Sequence, residues 1–148
     1  MCFSGSRLRS GVAGVERPDL SGWYLQRKTK TGSDYLTFAS GASFSGKKIK
    51  SGGYFLIGRE ESSFAILADM VVDNPLTEDN TLVFKNPNRE VIDKVGWGEA
   101  NDFEGNSALN PPKGQSIQRK WDSTADTFQD TDDNSADFEI KDSTPKPS

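Results

Sequence analysis

The sequence predicts an all-β domain, a sandwich or a barrel, and three observations carry that prediction. About seven or eight short segments rich in aromatic and β-branched residues follow one another at intervals of roughly 8 to 15 residues. Gly, Pro and Asn punctuate the intervals. No stretch sustains the 3.6-residue apolar period of an amphipathic helix, so the crossover helices that a parallel α/β sheet requires are missing. The length of 148 residues suits one compact core.

Residues 1–18 show neither alternation nor a helical stripe and read as a loose leader or a mis-called start. Their three arginines suggest a transit peptide or a nucleic-acid arm, but in a Gly/Ser background they read more simply as solvated charge. From Asp19 the pattern changes. Leu20, Trp23, Tyr24 and Leu25 mark a strand, with the polar Gln26, Arg27 and Lys28 after it. A polar turn from Thr29 to Asp34 leads to a second strand at Tyr35–Phe38. Gly41, Gly46 and the pair Gly52–Gly53 precede Tyr54–Gly58, a continuous apolar run of the length expected for a buried strand. Phe64–Val72 reads equally as a helical turn closed by Asn74 and Pro75 or as an extended piece. Thr81–Phe84 and Val91–Val95 flank Asn86, Pro87, Asn88 and Arg89, a turn-prone connection of hairpin length. A polar loop closes at Asn110–Pro111–Pro112, after which Ser116–Arg119 and Phe138–Ile140 alternate weakly as late edge strands. Residues 19–142 form the predicted domain, and residues 143–148 have the composition of a mobile Pro/Ser linker.

Composition narrows the function. The longest apolar runs are a few residues, far short of the roughly 20 that a membrane-spanning helix needs. Histidine is absent, which removes the commonest general base, the usual partner of a Ser or Cys nucleophile and the commonest zinc ligand. The one cysteine, Cys2, excludes an internal disulfide and a cysteine zinc cage. The net charge of −4 is uneven: residues 1–60 carry ten Lys/Arg against four Asp/Glu, and residues 61–148 carry eight against eighteen. An acidic C-terminal half repels polyanions and argues against nucleic-acid binding.

Five stretches, in order, resemble the lamin-tail domain family. Asp19–Leu20–Ser21–Gly22–Trp23–Tyr24–Leu25 resembles the opening motif of that family. Gly52–Gly53–Tyr54–Phe55–Leu56–Ile57 resembles its central strand, and Asn80–Thr81–Leu82 with Asp93–Lys94–Val95–Gly96–Trp97–Gly98 its hairpin. Gln115–Ser116–Ile117–Gln118–Arg119 and the run from Asp130 to Phe138 resemble its closing elements, in the form seen in bacterial members. The resemblance covers about Asp19 to Pro145. It implies an immunoglobulin-like β-sandwich, an association of relatives with DNA and chromatin, and for bacterial relatives a place on secreted or envelope proteins. The family's usual first strand has no counterpart in residues 1–18. Either the sequence begins inside the natural gene, with an export segment upstream, or a strand from a partner or second copy completes the sheet; truncation is the favoured explanation.

Candidate chemistry is sparse. Trp23, Tyr54, Phe55, Phe84 and Trp97 have the makings of an aromatic platform, but a small sandwich needs them as core. Gly22, Gly53 and Gly96 lack the following Lys–Ser/Thr and helix of a phosphate loop and read as turn glycines. Asp130, Asp132 and Asn134 alternate like the first half of a calcium loop. The sixth position, however, is Ser135 and the twelfth is Lys141, so an EF-hand is not supported. A wet, flexible acidic run also lacks the rigid walls that paired catalytic carboxyls need. Arg27, Lys28 and Lys30 with Lys47, Lys48 and Lys50 form a candidate cationic stripe. The expectation is a non-catalytic module with no catalytic, cofactor or metal residues. It would mediate protein–protein or cell-envelope attachment through loops and sheet edges. The alternatives are polyanion contact through the stripe and a calcium-stabilised extracellular adhesion module.

Overall fold

The computed structural model describes residues 2–4, 18–49 and 53–144. The protein is all-β. Its central element is a four-stranded antiparallel sheet ordered β3-β2-β6-β7, made from β2 (Tyr24–Thr29), β3 (Leu36–Ala39), β6 (Asn80–Lys85) and β7 (Val91–Gly96). β6 and β7 form the predicted hairpin, closed by a turn in which Asn86 and Arg89 bond to each other through the backbone at 2.9 Å. A second sheet joins β1 (Cys2–Ser4), β4 (Tyr54–Arg59) and β5 (Met70–Val72), with β4 antiparallel to β1 and parallel to β5. β8 (Gln115–Arg119) pairs with β11 (Phe138–Asp142), and β9 (Trp121–Asp122) with β10 (Thr127–Phe128).

One core joins these sheets in a sandwich-like arrangement. Leu25, Phe38 and Leu82 from the four-stranded sheet meet Phe55, Ile57 and Met70 from the second, and Ile117 and Phe138 of β8 and β11 pack against the same cluster. Phe44, on the turn after β3, fills the middle: its ring lies 5.9 Å from Phe55 and 6.2 Å from Phe84. Trp23 stacks on Phe84 at 4.8 Å. Each such side chain, taken out of water, contributes about 1.5–3 kcal/mol.

Several expectations shift. The first domain strand starts at Tyr24 and runs on through Gln26, Arg27 and Lys28: Gln26 and Lys28 lie on the sheet face that the core does not use, and Arg27, on the Leu25 side, donates to the Pro75 carbonyl. Phe64–Val72 holds both of its readings, a 3-10 turn at Ala65–Leu67 and then β5. Of the five aromatics expected in the core, Phe55 and Trp97 are buried and Trp23 and Phe84 pack against it, whereas Tyr54 is 40% exposed. Gly96 is not a turn glycine: it ends β7, and the loop carbonyl of Asp102 sits where a Cβ would be, 2.4 Å away. Cys2–Ser4, read from sequence as part of a leader, pairs with Tyr54–Leu56; Met1, residues 5–17, Lys50, Gly52 and the last four residues lie outside the described residues.

Candidate functional site

Two groups of charged side chains stand out, one enclosed and one open. The enclosed group is the acidic closing run. Asp133 caps the four-residue helix α1 (Asn134–Asp137), its Oδ1 accepting the N–H of Ser135 at 3.0 Å and of Ala136 at 3.2 Å. Asn106 donates to the other oxygen at 2.7 Å. The Asn106 and Ser135 hydrogen bonds, aided by the backbone N–H groups, hold the Asp133 carboxyl down at about 2. Gly105, with φ of +58°, lets the chain pass so close to Asp133 that a Cβ would lie 2.8 Å from it.

Asn134 is fully buried, and its side chain bonds to the backbone of β7 and the following loop and, through Nδ2 at 3.3 Å, to the Glu104 carboxylate. Its Oδ1 accepts from Gly96 at 2.8 Å and Glu104 at 3.2 Å, while its Nδ2 donates to the Lys94 carbonyl at 3.0 Å. Asp137, equally buried, accepts the Thr131 N–H at 2.9 Å and the Thr131 hydroxyl at 2.8 Å. Arg119 lies at the centre. Its guanidinium reaches Asp93 at 2.8 Å, Asp130 at 3.2 Å and Asp137 at 3.7 Å, and rests 4.6 Å from the centre of the Phe138 ring. The calcium-like alternation of Asp130, Asp132 and Asn134 therefore does not build a shared cavity. Asp130 faces Arg119, Asn134 faces β7, and Asp132 takes a left-handed turn conformation with φ of 58° on the surface. Among the described residues no group of three or more Cys, Asp or Glu side chains stands close enough to hold a metal ion.

The open group lies on the face of the four-stranded sheet turned away from the core. Cross-strand pairing sets it out: Tyr24 opposite Lys85, Gln26 opposite Val83 opposite Lys94, and Lys28 opposite Thr81. The Lys85 ammonium lies 6.0 Å from the Tyr24 ring centre and 5.9 Å from that of Tyr35, and donates to Gln26 at 2.8 Å. The Lys28 ammonium lies 5.7 Å from the same Tyr35 ring. Tyr24, Gln26, Lys85 and Arg89 line a shallow, open depression of about 430 Å³.

One carboxylate organises this face. The Gly96 close approach brings residues 102 and 103 over the end of the sheet, and the Thr81 hydroxyl fixes the Asp102 carbonyl at 2.6 Å. From there the Asp102 side chain accepts the Tyr35 hydroxyl at 2.5 Å and the Lys94 ammonium at 2.9 Å. Burial works to raise the Asp102 carboxyl, but Tyr35 and Lys94 outweigh it and hold the group below its ordinary range. Burial first, then the Asp102 contact, pushes the Tyr35 hydroxyl well above the usual tyrosine range.

The cationic stripe expected from sequence is split. Arg27 and Lys28 are neighbours on a strand and so point to opposite faces, Arg27 donating to the Pro75 carbonyl. Lys30 pairs with Glu99 and Asp79, and Lys47 donates to the Asp69 carbonyl at 2.9 Å. Lys28 instead joins Lys85, Lys94 and Arg89, which lie more than fifty residues along the chain. Period-two alternation in β2, β6 and β7 is the sequence signal for that grouping, once the strand order is known. Among the described residues no helix is long and apolar enough to cross a membrane. Compared with family models, with curated proteins and with solved structures, the chain matches none.

Proposed function

We propose that the chain is a non-catalytic binding or structural module, a lamin-tail-like β-sandwich of immunoglobulin type that mediates protein–protein or cell-envelope attachment. The observation that carries this reading is the use made of the acidic closing run. Asp130, Asp133, Asn134 and Asp137 serve Arg119, an N-cap, two strands and a loop, so the side chains best suited to chemistry act as a clasp. The order of the resembling stretches supports the reading too, since they fall on β2, β4, the β6–β7 hairpin, β8 and the α1–β11 segment that closes on β8. Surfaces, not a pocket of reactive groups, are then the means of action.

The test is a pair of measurements on the purified chain. Ester, phosphomonoester, glycoside and peptide reporter substrates are expected to give no turnover above buffer. Titration with envelope-protein fractions, followed by amide chemical shifts, is expected to move signals on loops and sheet faces only. Sustained turnover that Asp102→Asn or Asp137→Asn abolishes would overturn the proposal. Polyanion contact is the second reading, favoured by the grouping of Lys28, Lys85, Lys94 and Arg89.

A further inference from the structure

The charge on the outer sheet face runs against that of the molecule. The chain as a whole is −4, yet Lys28, Lys85, Lys94 and Arg89 meet on or beside one face whose organising carboxylate is Asp102. These cations are not all freely waving surface charge. Two lysines lie over tyrosine rings, one of them hydrogen-bonded to Gln26, and Tyr35 is itself tethered to Asp102. Side chains held in this way lose less conformational freedom on meeting an anion than unrestrained lysines do.

We infer that this face docks an extended, Asp/Glu-rich polypeptide segment of a partner protein, with Arg89 and Lys85 at the hairpin-turn end of the contact and Lys94 and then Lys28 further along the sheet. The inference rests on the attachment reading above and names the site and partner chemistry for it. Charge complementarity selects an anionic occupant. The tyrosines select against a single-stranded nucleic acid, which needs open aromatic faces for its bases. Here ammonium groups sit over the rings of both Tyr24 and Tyr35, so the face offers point cations for carboxylates and not stacking platforms. Gln26 and the Tyr24 edge supply the neutral hydrogen-bonding groups that a peptide backbone crossing the depression would meet.

The probe is a fluorescein-labelled deca-glutamate peptide, followed by anisotropy on the full chain. Binding is expected at about 20 mM salt and is expected to weaken at least about tenfold by about 200 mM, as screening of exposed charges requires. Arg89→Gln, on an exposed turn, and Lys85→Gln are each expected to weaken it several-fold, whereas Lys113→Gln, an exposed lysine in the loop ahead of β8, leaves it unchanged. Circular dichroism confirms folding of each variant, and Arg89→Gln alone decides the matter if Lys85→Gln unfolds. Three results would overturn the inference: no binding at low salt, equal weakening by Lys113→Gln, or tighter binding of a ten-nucleotide thymidylate than of the peptide. Any of these with silent reporter substrates removes the face as the site while the attachment reading stands; turnover removes that reading itself.

Discussion

The Arg119 clasp and the Lys85 face use the same side-chain types to opposite ends. In the clasp, a guanidinium 15% exposed is surrounded by Asp93, Asp130 and a fully buried Asp137, which Thr131 holds in addition. On the face, Lys94 bonds to Asp102 and Lys28 acts on the same carboxylate, while Lys85 and Arg89 line a depression that opens to solvent. Burial and matching decide the difference. A charge enclosed with its partners contributes mainly when it is broken, because removing one member strands the others, while an exposed charge contributes little to folding and stays open to contact. Substitutions in the first region should therefore act on stability and those in the second on binding.

The sharpest contrast comes from Asp137→Ala. It leaves the Thr131 N–H without its acceptor and strips Arg119 of its buried partner, at an expected cost of about 3–5 kcal/mol. Urea unfolding should show a lower midpoint at an unchanged slope. Asn134→Ala comes next, at about 2–3 kcal/mol, since the Gly96 and Glu104 N–H groups lose their shared acceptor.

A smaller effect follows from pH. Asp133 has its folded-state pKa depressed from 3.8 to about 2, so its contribution is complete above the unfolded value and is lost as pH falls from about 4 to 2. Thermal melts across that window should show a decline that Asp133→Asn flattens. Tyr35→Phe should cost least, about 1 kcal/mol, because only the Asp102 hydrogen bond is removed. The raised Tyr35 hydroxyl gives stability that is complete below the ordinary tyrosine value of about 10 and lost as pH climbs past it. Ultraviolet titration should accordingly show a late-ionising tyrosine in the native protein that Tyr35→Phe deletes.

The two regions differed as much in legibility as in chemistry. Strands with a strong apolar or β-branched signal, Tyr54–Arg59 and the β6–β7 hairpin with its Asn86–Arg89 turn, could be read directly. The pairing of β8 with β11 was foreshadowed only as two weak alternations, since half-exposed strands carry little pattern. β9 and β10 were missed: two residues each are too short for any period, and what holds them is their antiparallel pairing together with the edge-on contact of Trp121 with Phe128 at 5.0 Å. The acidic run was visible as residues but not as a clasp, because Arg119, Asp93 and Gly96 are brought to it from other strands. The cationic face was hidden for the same reason. Adjacent lysines suggested one stripe along the chain, while alternation sent Arg27 and Lys28 to opposite sides and strand order assembled a different set.

Amide hydrogen exchange, in metal-free buffer and again with millimolar calcium, tests the central claim that the acidic run is an internal clasp. The N–H groups of Gly96, Glu104 and Thr131 donate to Asn134 and Asp137, so they should be protected to a degree comparable with the β6–β7 ladder, with or without the ion. Exchange of these amides at the rate of an unstructured chain, or protection that arises only when calcium is added, would contradict it.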